Sequence, residues 1–232
     1  MNEAEIRQGL IERLRRQAQG ASATYISELC IDRFDRRADL VQVGTRLAAF
    51  EIKGDRDRLT RLPGQLESYC RLFERVTVVC TQRHLAAVQS LTPAEVGLWT
   101  VDAAQGFDEV RPSRLLRGQR IEDWLSFLPV PELRRLLRSH DRPAKGPRED
   151  LIVQAGTLPK TAVRAQVLQS LRAHAERVAP KRARQLALVE ARQAMPSAPL
   201  PEARLQAFLS RCTVPSQPLV RQGAGDHSSS SA

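Results

Sequence analysis

The spacing of apolar residues in the first part of the chain predicts a helix followed by two paired strands. Residues 2–18 carry Ile6, Leu10, Ile11 and Leu14 on an i, i+4 stripe, which is typical of an amphipathic helix. Two later runs, ADLVQVG and RLAAFEIKG, are short and β-prone, and the letters GTR at their junction are a tight-turn signal. We therefore predict a β-hairpin. The earlier run ATYISELCI fits either a strand or a short helical turn.

The pattern continues to alternate between helix and strand up to residue 110. LPGQLESYCRLFE returns to a helical period, and RVTVVCTQ is a continuous apolar run of the kind found in a buried central strand. Residues 84–90 fit a helix, and VGLWTVD fits a last strand. The order α, β, β, β, α, β, α, β predicts an α/β domain with a mixed sheet over residues 1–110.

Beyond residue 110 the pattern predicts helices alone, with a helical region over residues 121–195. Pro180 falls near the start of one of these helices, where proline is well tolerated. The last part, residues 196–232, is rich in small and polar residues. The predicted segments are short helices around the loop DRPAKGP, longer helices over Lys160–Val178 and Lys181–Met195, a linker over 196–201, a short helix over 202–211 and a disordered tail.

The composition is that of a globular protein. Hydrophobic residues make up 42% and charged residues 27% of the chain, and no apolar run approaches the ~20 residues that span a bilayer. The polar start, MNEAEIRQGLIERLRR, is no secretory signal. The four cysteines have neither metal-site spacing nor the density of a disulfide framework. We therefore expect a cytoplasmic protein with reduced thiols and no membrane partner.

The excess of positive over negative charge lies entirely in the second half of the chain. Residues 1–110 carry 15 basic and 16 acidic side chains, whereas residues 111–232 carry 21 basic and 10 acidic ones. Such asymmetry indicates a polyanionic partner, nucleic acid before membrane. An arginine-rich composition with a solvated basic surface is the alternative.

Lysine is rare here, since only 4 of the 36 basic residues are lysines. The lysine at position 53 therefore stands out from the arginine that the chain otherwise uses. In a strand, residues i and i+2 share a face, so Glu51 and Lys53 project together while Phe50 and Ile52 face the opposite, buried side. Antiparallel pairing of the hairpin would bring Asp39 beside Glu51.

Two neighbouring carboxylates favour a positive charge between them. Asp39 and Glu51 would repel each other unless a cation sits there, and a hard divalent cation with oxygen ligands is the natural occupant. The ammonium group of Lys53 is a compact point charge that can contact a phosphate or an attacking water beside the metal. We therefore hypothesise that position 53 needs ammonium geometry, which arginine does not provide.

These residues resemble the PD-(D/E)XK nuclease superfamily. The resemblance rests on RADLV twelve residues before EIK and on RLPGQLESY opening a helix, and it spans roughly residues 28–101. The nearest pattern is a bacterial subgroup with R-A-D, E-I-K-S-D, R-L-x-x-Q and Y. It implies a restriction-endonuclease-like fold with an αβββαβ core and Mg²⁺-dependent phosphodiester hydrolysis. Ala38 stands where the superfamily usually has proline, and Gly54 where the subgroup often has serine. Neither change affects a residue that the resemblance implies as a metal ligand.

The resemblance also implies roles for single residues. Asp39 and Glu51 would be ligands for Mg²⁺, with Mn²⁺ as a substitute, and Lys53 would be the catalytic lysine. Further implied members of the site are the Ile52 carbonyl as a metal ligand, Gln65 and Tyr69 on the following helix as supporting catalytic residues, and an upstream glutamate ligand, Glu28, with Glu12 in reserve.

Each of these residues also has an ordinary explanation. A glutamate and a lysine two apart in a strand usually form a solvated ion pair, and an aspartate at a strand start often serves a turn. Gln65 fits the first turn of any helix. The segment DRDRLTRL, residues 55–62, leads towards substrate in the nuclease interpretation and is a solvated charged loop in the other. The sequence does not separate the two.

A second resemblance lies in the basic half. VPELRRLLRSHDRPAKGPREDLIVQ is similar to a SAP-type module, with two short helices around a glycine-containing turn. Leu133, Leu136 and Leu137 would pack against Leu151 and Ile152. The resemblance implies binding to the DNA backbone. The basic residues expected to stay exposed and to bind DNA are Arg134, Arg135, Arg138, Arg142, Lys145 and Arg148.

The sequence thus predicts a bacterial, cytoplasmic, Mg²⁺-dependent DNA nuclease with a basic helical region that holds duplex DNA. A role in defence or DNA repair is implied by resemblance only. The main alternative is a catalytically silent adaptor on the same fold that binds DNA or recruits a partner. RNA as the substrate, a partner protein and a homodimer all stay open.

Overall fold

A computed structural model describes residues 1–18, 20–31, 35–104 and 106–194. The strands are β1 (Thr24–Ile31), β2 (Arg36–Val43), β3 (Leu47–Lys53), β4 (Arg75–Thr81), β5 (Gly97–Asp102) and β6 (Gly106–Arg111). The helices are α1 (Glu3–Arg15), α2 (Leu62–Leu72), α3 (Leu85–Leu91), α4 (Ile121–Leu125), α5 (Val130–Arg138), α6 (Arg148–Ala155) and α7 (Lys160–Ala194). The strands form one sheet in the order β1-β2-β3-β4-β5-β6. The pairs β3–β4 and β4–β5 are parallel, and the others are antiparallel.

This element order confirms the predicted α/β class, with an αβββαβ beginning, a mixed sheet and a helical C-terminal region. The predicted hairpin is the β2–β3 pair, and the undecided run ATYISELCI is β1. The sequence pattern missed β6, which pairs with β5 at the edge of the sheet. None of its residues is buried, so it carries no apolar alternation to detect.

Both faces of β3 are buried, because the strand lies between β2 and β4 and helices cover the sheet on each side. Phe50 and Ile52 pack with α1 in one apolar cluster. Ala49 faces the other way and packs in the cluster that includes α2. Glu51 and Lys53 share the α2 face, as predicted, but this face is buried rather than solvated.

The β1–β2 ladder is interrupted where Glu28 meets Asp39, although the pairs on either side are in register. Glu28 has a φ of 55°, in the left-handed region that non-glycine residues rarely adopt. Across this point the side-chain alternation shifts, so that Ile26 and Leu29, three residues apart, face the same core cluster. The carboxylates of Glu28 and Asp39 therefore lie at a distorted point of the sheet. Such backbone distortions are common at functional sites.

Helices α4 to α6 and the first part of α7 pack on the same side of the sheet as α2. Trp124 and Val163 belong to the same apolar cluster as the α2 side chains, and Met1–Ala183 form one compact unit. The predicted division into domains over 1–110 and 121–195 stays a prediction. The predicted packing between α5 and α6 is present, with Leu133, Leu136, Leu137 and Leu151 buried and Ile152 partly buried.

A single helix, α7, replaces the two helices predicted over Lys160–Val178 and Lys181–Met195. Pro180 lies inside it. A proline removes one backbone hydrogen bond, but alanine, arginine, glutamine and leucine around it are strong helix formers. The predicted linker, short helix and tail beyond residue 195 lie outside the described residues. Within the described ranges, no helix is both long and apolar enough to cross a membrane.

A buried carboxylate, Glu74, joins the sheet to α7. It accepts hydrogen bonds from Arg164 at 2.9 and 3.1 Å, from Arg46 at 3.1 Å and from the Leu47 N–H at 2.8 Å. Burial alone would raise the pKa of Glu74, but the hydrogen bonds from Arg164 and Leu47 outweigh it and lower the pKa overall. Arg164 also donates to the Thr45 carbonyl at 2.5 Å. Helix α7 therefore holds the β2–β3 turn in place.

The Arg164→Ala variant should lose about 2 kcal/mol of unfolding free energy, because the buried Glu74 carboxylate loses its main donors. Urea unfolding at pH 7 measures this. The control is Arg177→Ala, an exposed residue of the same helix that donates to the Ala173 carbonyl one turn earlier, with an expected change below ~0.5 kcal/mol.

The cost of Arg164→Ala should also depend on pH. Since the pKa of Glu74 is lowered in the folded protein from its ordinary 4.5, the stabilising contribution is present above that value and is lost as the pH falls below it. Equal costs for Arg164→Ala and Arg177→Ala at pH 7 would contradict this account.

Candidate active site

Four side chains at the carboxyl end of β3 form one hydrogen-bonded network. Glu51 is fully buried; its Oε1 accepts from Lys53 Nζ at 2.6 Å, and its Oε2 accepts from the Tyr69 hydroxyl at 2.6 Å. Lys53 Nζ also donates to Gln65 Oε1 at 3.2 Å. Gln65 and Tyr69 are one turn apart on α2, so both reach the same face of the sheet. The structure thus brings together four of the five residues predicted as catalytic.

Asp39, the fifth, lies beside this network. Its Oδ2 accepts a hydrogen bond from the Ile52 N–H at 2.8 Å. Burial and the negative charge of Glu51 raise the pKa of Asp39 to about 8, against that hydrogen bond. Burial and the carboxylates of Glu51 and Asp39 also raise the pKa of Tyr69, so its hydroxyl stays protonated and can donate a hydrogen bond. Metal ligation by the Ile52 carbonyl stays a prediction, since the contact shown uses the N–H of that residue.

Asp39 also belongs to a cluster of three carboxylates. Glu3 of α1 and Glu28 of β1 each place a carboxylate oxygen so that these atoms and one of Asp39 lie within 4.8 Å of one another. Burial and the charge of Glu28 raise the pKa of Glu3, in spite of the nearby Arg7. The reserve choice, Glu12, is wrong as a member of this group. It is exposed and accepts a hydrogen bond from Gln8 at 2.9 Å.

Two arginines offset part of the negative charge of the cluster. Arg7 pairs with Glu28 at 2.6 Å and with Glu3 at 3.0 Å, and Arg37 also pairs with Glu28. Sequence reasoning missed both Glu3 and Arg7. They are polar residues in the first turns of α1 with no motif around them, and only the packing of α1 against β3 brings them to the site.

The donor set fits a hard divalent cation such as Mg²⁺. Carboxylate oxygens are the ligands that this ion prefers, and three of them converge here. Asp39 connects this group to the Glu51–Lys53 network, close enough for Glu51 to raise its pKa. Negative charge is thus in excess around Asp39, which is the electrostatic condition for cation binding.

The residues predicted to bind DNA divide into two groups. Arg135, Arg138, Arg142 and Lys145 are exposed on α5 and in the loop that follows it. The other two are half-buried, which corrects the expectation that all six stay exposed. Arg134 donates to the Gly146 carbonyl at 3.5 Å, and Arg148 donates to the carbonyls of Leu128 and Ser126 at 2.6 and 3.2 Å. Arg148 is thus used to hold the end of α4.

Comparison with known proteins places most of the chain in one family. The family described as Bacteriophage P4 protein cII matches residues 1–192. The chain belongs to the bacteriophage P4 protein cII family. Protein cII of Enterobacteria phage P4 is 32% identical over 179 residues, which is 74% of this chain and 67% of that protein. The match to the cII family covers both the carboxylate cluster and helices α4 to α6.

One solved structure is also similar, a protein of unknown function from Silicibacter pomeroyi. It is 20% identical with a TM-score of 0.39, and the match covers 73% of this chain and 92% of that one. A likeness at this level carries no argument about function.

Asp39→Asn should stabilise the metal-free protein at neutral pH, by about 1–2 kcal/mol, because the wild type must either take up a proton at Asp39 on folding or bury its charge in a crowded acidic cluster. Its amide oxygen can still accept from the Ile52 N–H. The raised pKa of Asp39, about 8 against an ordinary 3.8, sets the sign. Wild type loses stability relative to the variant as the pH rises from 4 to 8.

Urea unfolding in EDTA at several pH values measures the difference between wild type and Asp39→Asn. Asp108→Asn, at an exposed position of β6, is the matched control, and its effect should stay below ~0.5 kcal/mol throughout. A loss of stability in Asp39→Asn that is independent of pH would contradict the electrostatic account.

Proposed function

We propose that this protein is a Mg²⁺-dependent DNA nuclease of the PD-(D/E)XK type. The observation that carries the proposal is the buried Glu51–Lys53 pair, 2.6 Å apart and adjoining a cluster of three carboxylates. A buried ion pair stabilises a fold weakly at best, and the neighbouring carboxylates repel each other. Residues in such an arrangement are candidates for function rather than for stability.

The division of roles follows from the contacts. Asp39, Glu28 and Glu3 would hold the ion, and Glu51 would join them as the fourth carboxylate. When bound, Mg²⁺ supplies a lowered pKa for an attacking water and positive charge opposite the phosphate. Lys53, held between Glu51 and Gln65, stabilises negative charge that develops on the phosphate. Tyr69 donates to Glu51 and fixes its orientation.

The exposed basic residues Arg135, Arg138, Arg142 and Lys145 support duplex DNA as the ligand, because arginine and lysine bind phosphates without reading sequence. A cytoplasmic location is part of the proposal. The cysteines among the described residues, Cys30, Cys70 and Cys80, are free thiols, as expected in a reducing compartment. A role in defence or DNA repair is proposed on the resemblance alone.

A catalytically silent adaptor is the second candidate, and one observation favours it. Both oxygens of Glu51 are hydrogen-bonded within the protein, and Glu28 is paired with Arg7 and Arg37. These carboxylates are thus satisfied by the protein's own donors. In the adaptor, the Lys53 network would be retained for folding, and the basic residues of α5 would bind DNA or a partner protein.

Nicking of supercoiled plasmid with Mg²⁺, Mn²⁺ or EDTA tests the proposal. Wild type should cut only with metal. Lys53→Ala and Lys53→Arg should each lose at least ~100-fold in rate, because neither places an ammonium group beside the phosphate. Lys160→Arg is the matched control, outside the site, where the lysine donates to the Gln119 carbonyl, and it should cut like wild type.

Circular dichroism melting of each variant checks that loss of cutting is not loss of folding. Metal-dependent cutting that survives in both Lys53 variants would reject the assigned role of Lys53. Absence of cutting by folded wild type that still binds DNA would favour the adaptor.

A further inference from the structure

The loop between β3 and α2, residues 54–61, connects the two elements that build the candidate active site. It begins immediately after Lys53 and ends four residues before Gln65, and a hydrogen bond of 3.2 Å between these two side chains closes the segment. We call residues 54–61 the β3–α2 loop. Its sequence alternates acidic and basic residues, and the sequence alone left open whether it is functional or merely solvated.

The two acidic residues of this loop are used inside the protein. Asp57 Oδ2 accepts from the Gly54 N–H at 2.7 Å. The Asp55 carboxylate accepts from the Met1 amino group at 2.5 Å, and the Asp55 carbonyl accepts from Arg83 at 3.3 Å. Both residues are half-buried. Their carboxylates are therefore directed into hydrogen bonds at the base of the loop, which also hold the loop in one place.

The three arginines of the loop differ from its acidic residues in exposure and in hydrogen bonding. Arg56, Arg58 and Arg61 are exposed, and no guanidinium group among them forms a hydrogen bond or ion pair with a described residue. Between them, Leu59 packs against the apolar core. The loop thus has acidic side chains that are used in hydrogen bonds at its base and three exposed arginines, in the segment that directly follows Lys53 in the chain.

We infer that the β3–α2 loop binds the phosphate backbone of duplex DNA next to the candidate active site. Guanidinium groups on an anchored loop bind phosphates at little cost in ordering, and three adjacent charges fit a polyanion better than a single phosphate. This inference rests on the proposed function and adds a second DNA-binding surface to that on α5. The loop surface would hold the stretch of backbone that is cut.

The test measures binding without cutting. Fluorescence anisotropy of a labelled DNA duplex in EDTA, over a series of salt concentrations, gives the slope of log K against log salt. Replacing all three loop arginines by glutamine should reduce that slope by about 2–3, because each phosphate contact contributes ~0.9. Affinity at low salt should fall at least tenfold. The variant carries Arg56→Gln, Arg58→Gln and Arg61→Gln.

Two further variants are matched to it. The triple lysine variant of the same three positions keeps the charge and should keep most of the slope. The second variant removes three exposed positive charges from the segment that follows β6. This segment lies at the opposite end of β3 from Lys53, because its Leu116 N–H bonds to the Glu74 carbonyl there. The variant should therefore keep the wild-type slope. That variant carries Arg114→Gln, Arg117→Gln and Arg120→Gln.

Wild-type slopes in both glutamine variants would overturn the inference, as would equal losses in the two. Tighter binding of an RNA duplex than of DNA of the same sequence would also overturn it. Its failure is distinguishable from that of the nuclease proposal. If the protein binds DNA through the loop but never cuts it, the loop inference stands and the nuclease proposal fails. If the variant without the loop arginines still binds DNA with the wild-type slope and cuts it, the nuclease proposal stands and the loop inference fails.

Discussion

The placement of an ion pair inside the central strand of the sheet is the constraint on which the rest of the structure depends. Glu51 and Lys53 lie in β3, which is buried on both faces. Burial of two charges costs free energy unless every polar atom finds a partner. The partners come from α2, through Gln65 and Tyr69. The spacing of these residues on α2 thus fixes how that helix packs across the sheet.

The buried carboxylates at the two ends of β3 have opposite electrostatic surroundings. At the amino end, Glu74 is matched by Arg46 and Arg164, and its pKa is lowered. At the carboxyl end, burial and the neighbouring carboxylate of Glu51 raise the pKa of Asp39 to about 8. One end stabilises the fold and ties α7 to the sheet, while the other stores unfavourable electrostatic energy. That contrast is the physical reason for proposing an active site at the carboxyl end.

Much of this arrangement could be predicted because it is local in sequence. The hairpin, the shared face of Glu51 and Lys53, and the reach of α2 all follow from strand and helix periodicity. The contribution of Glu3 could not be predicted, since it depends on how α1 packs across the sheet. The strand β6 was missed because it buries nothing. The half-buried Arg148 could not be told from an exposed arginine, because its partners are backbone carbonyls in the turn that follows α4.

A crystal grown with Mn²⁺ and analysed by anomalous diffraction tests the central claim most directly, that the carboxylates around Asp39 form a metal site. The account predicts an anomalous peak about 2.0–2.4 Å from an Asp39 oxygen. Oxygens of Glu28, Glu3 or Glu51 should complete the ligand set, and Arg7 should have moved away from Glu28. A map with no peak at Asp39 at millimolar Mn²⁺, and with the Arg7–Glu28 pair intact, would contradict it.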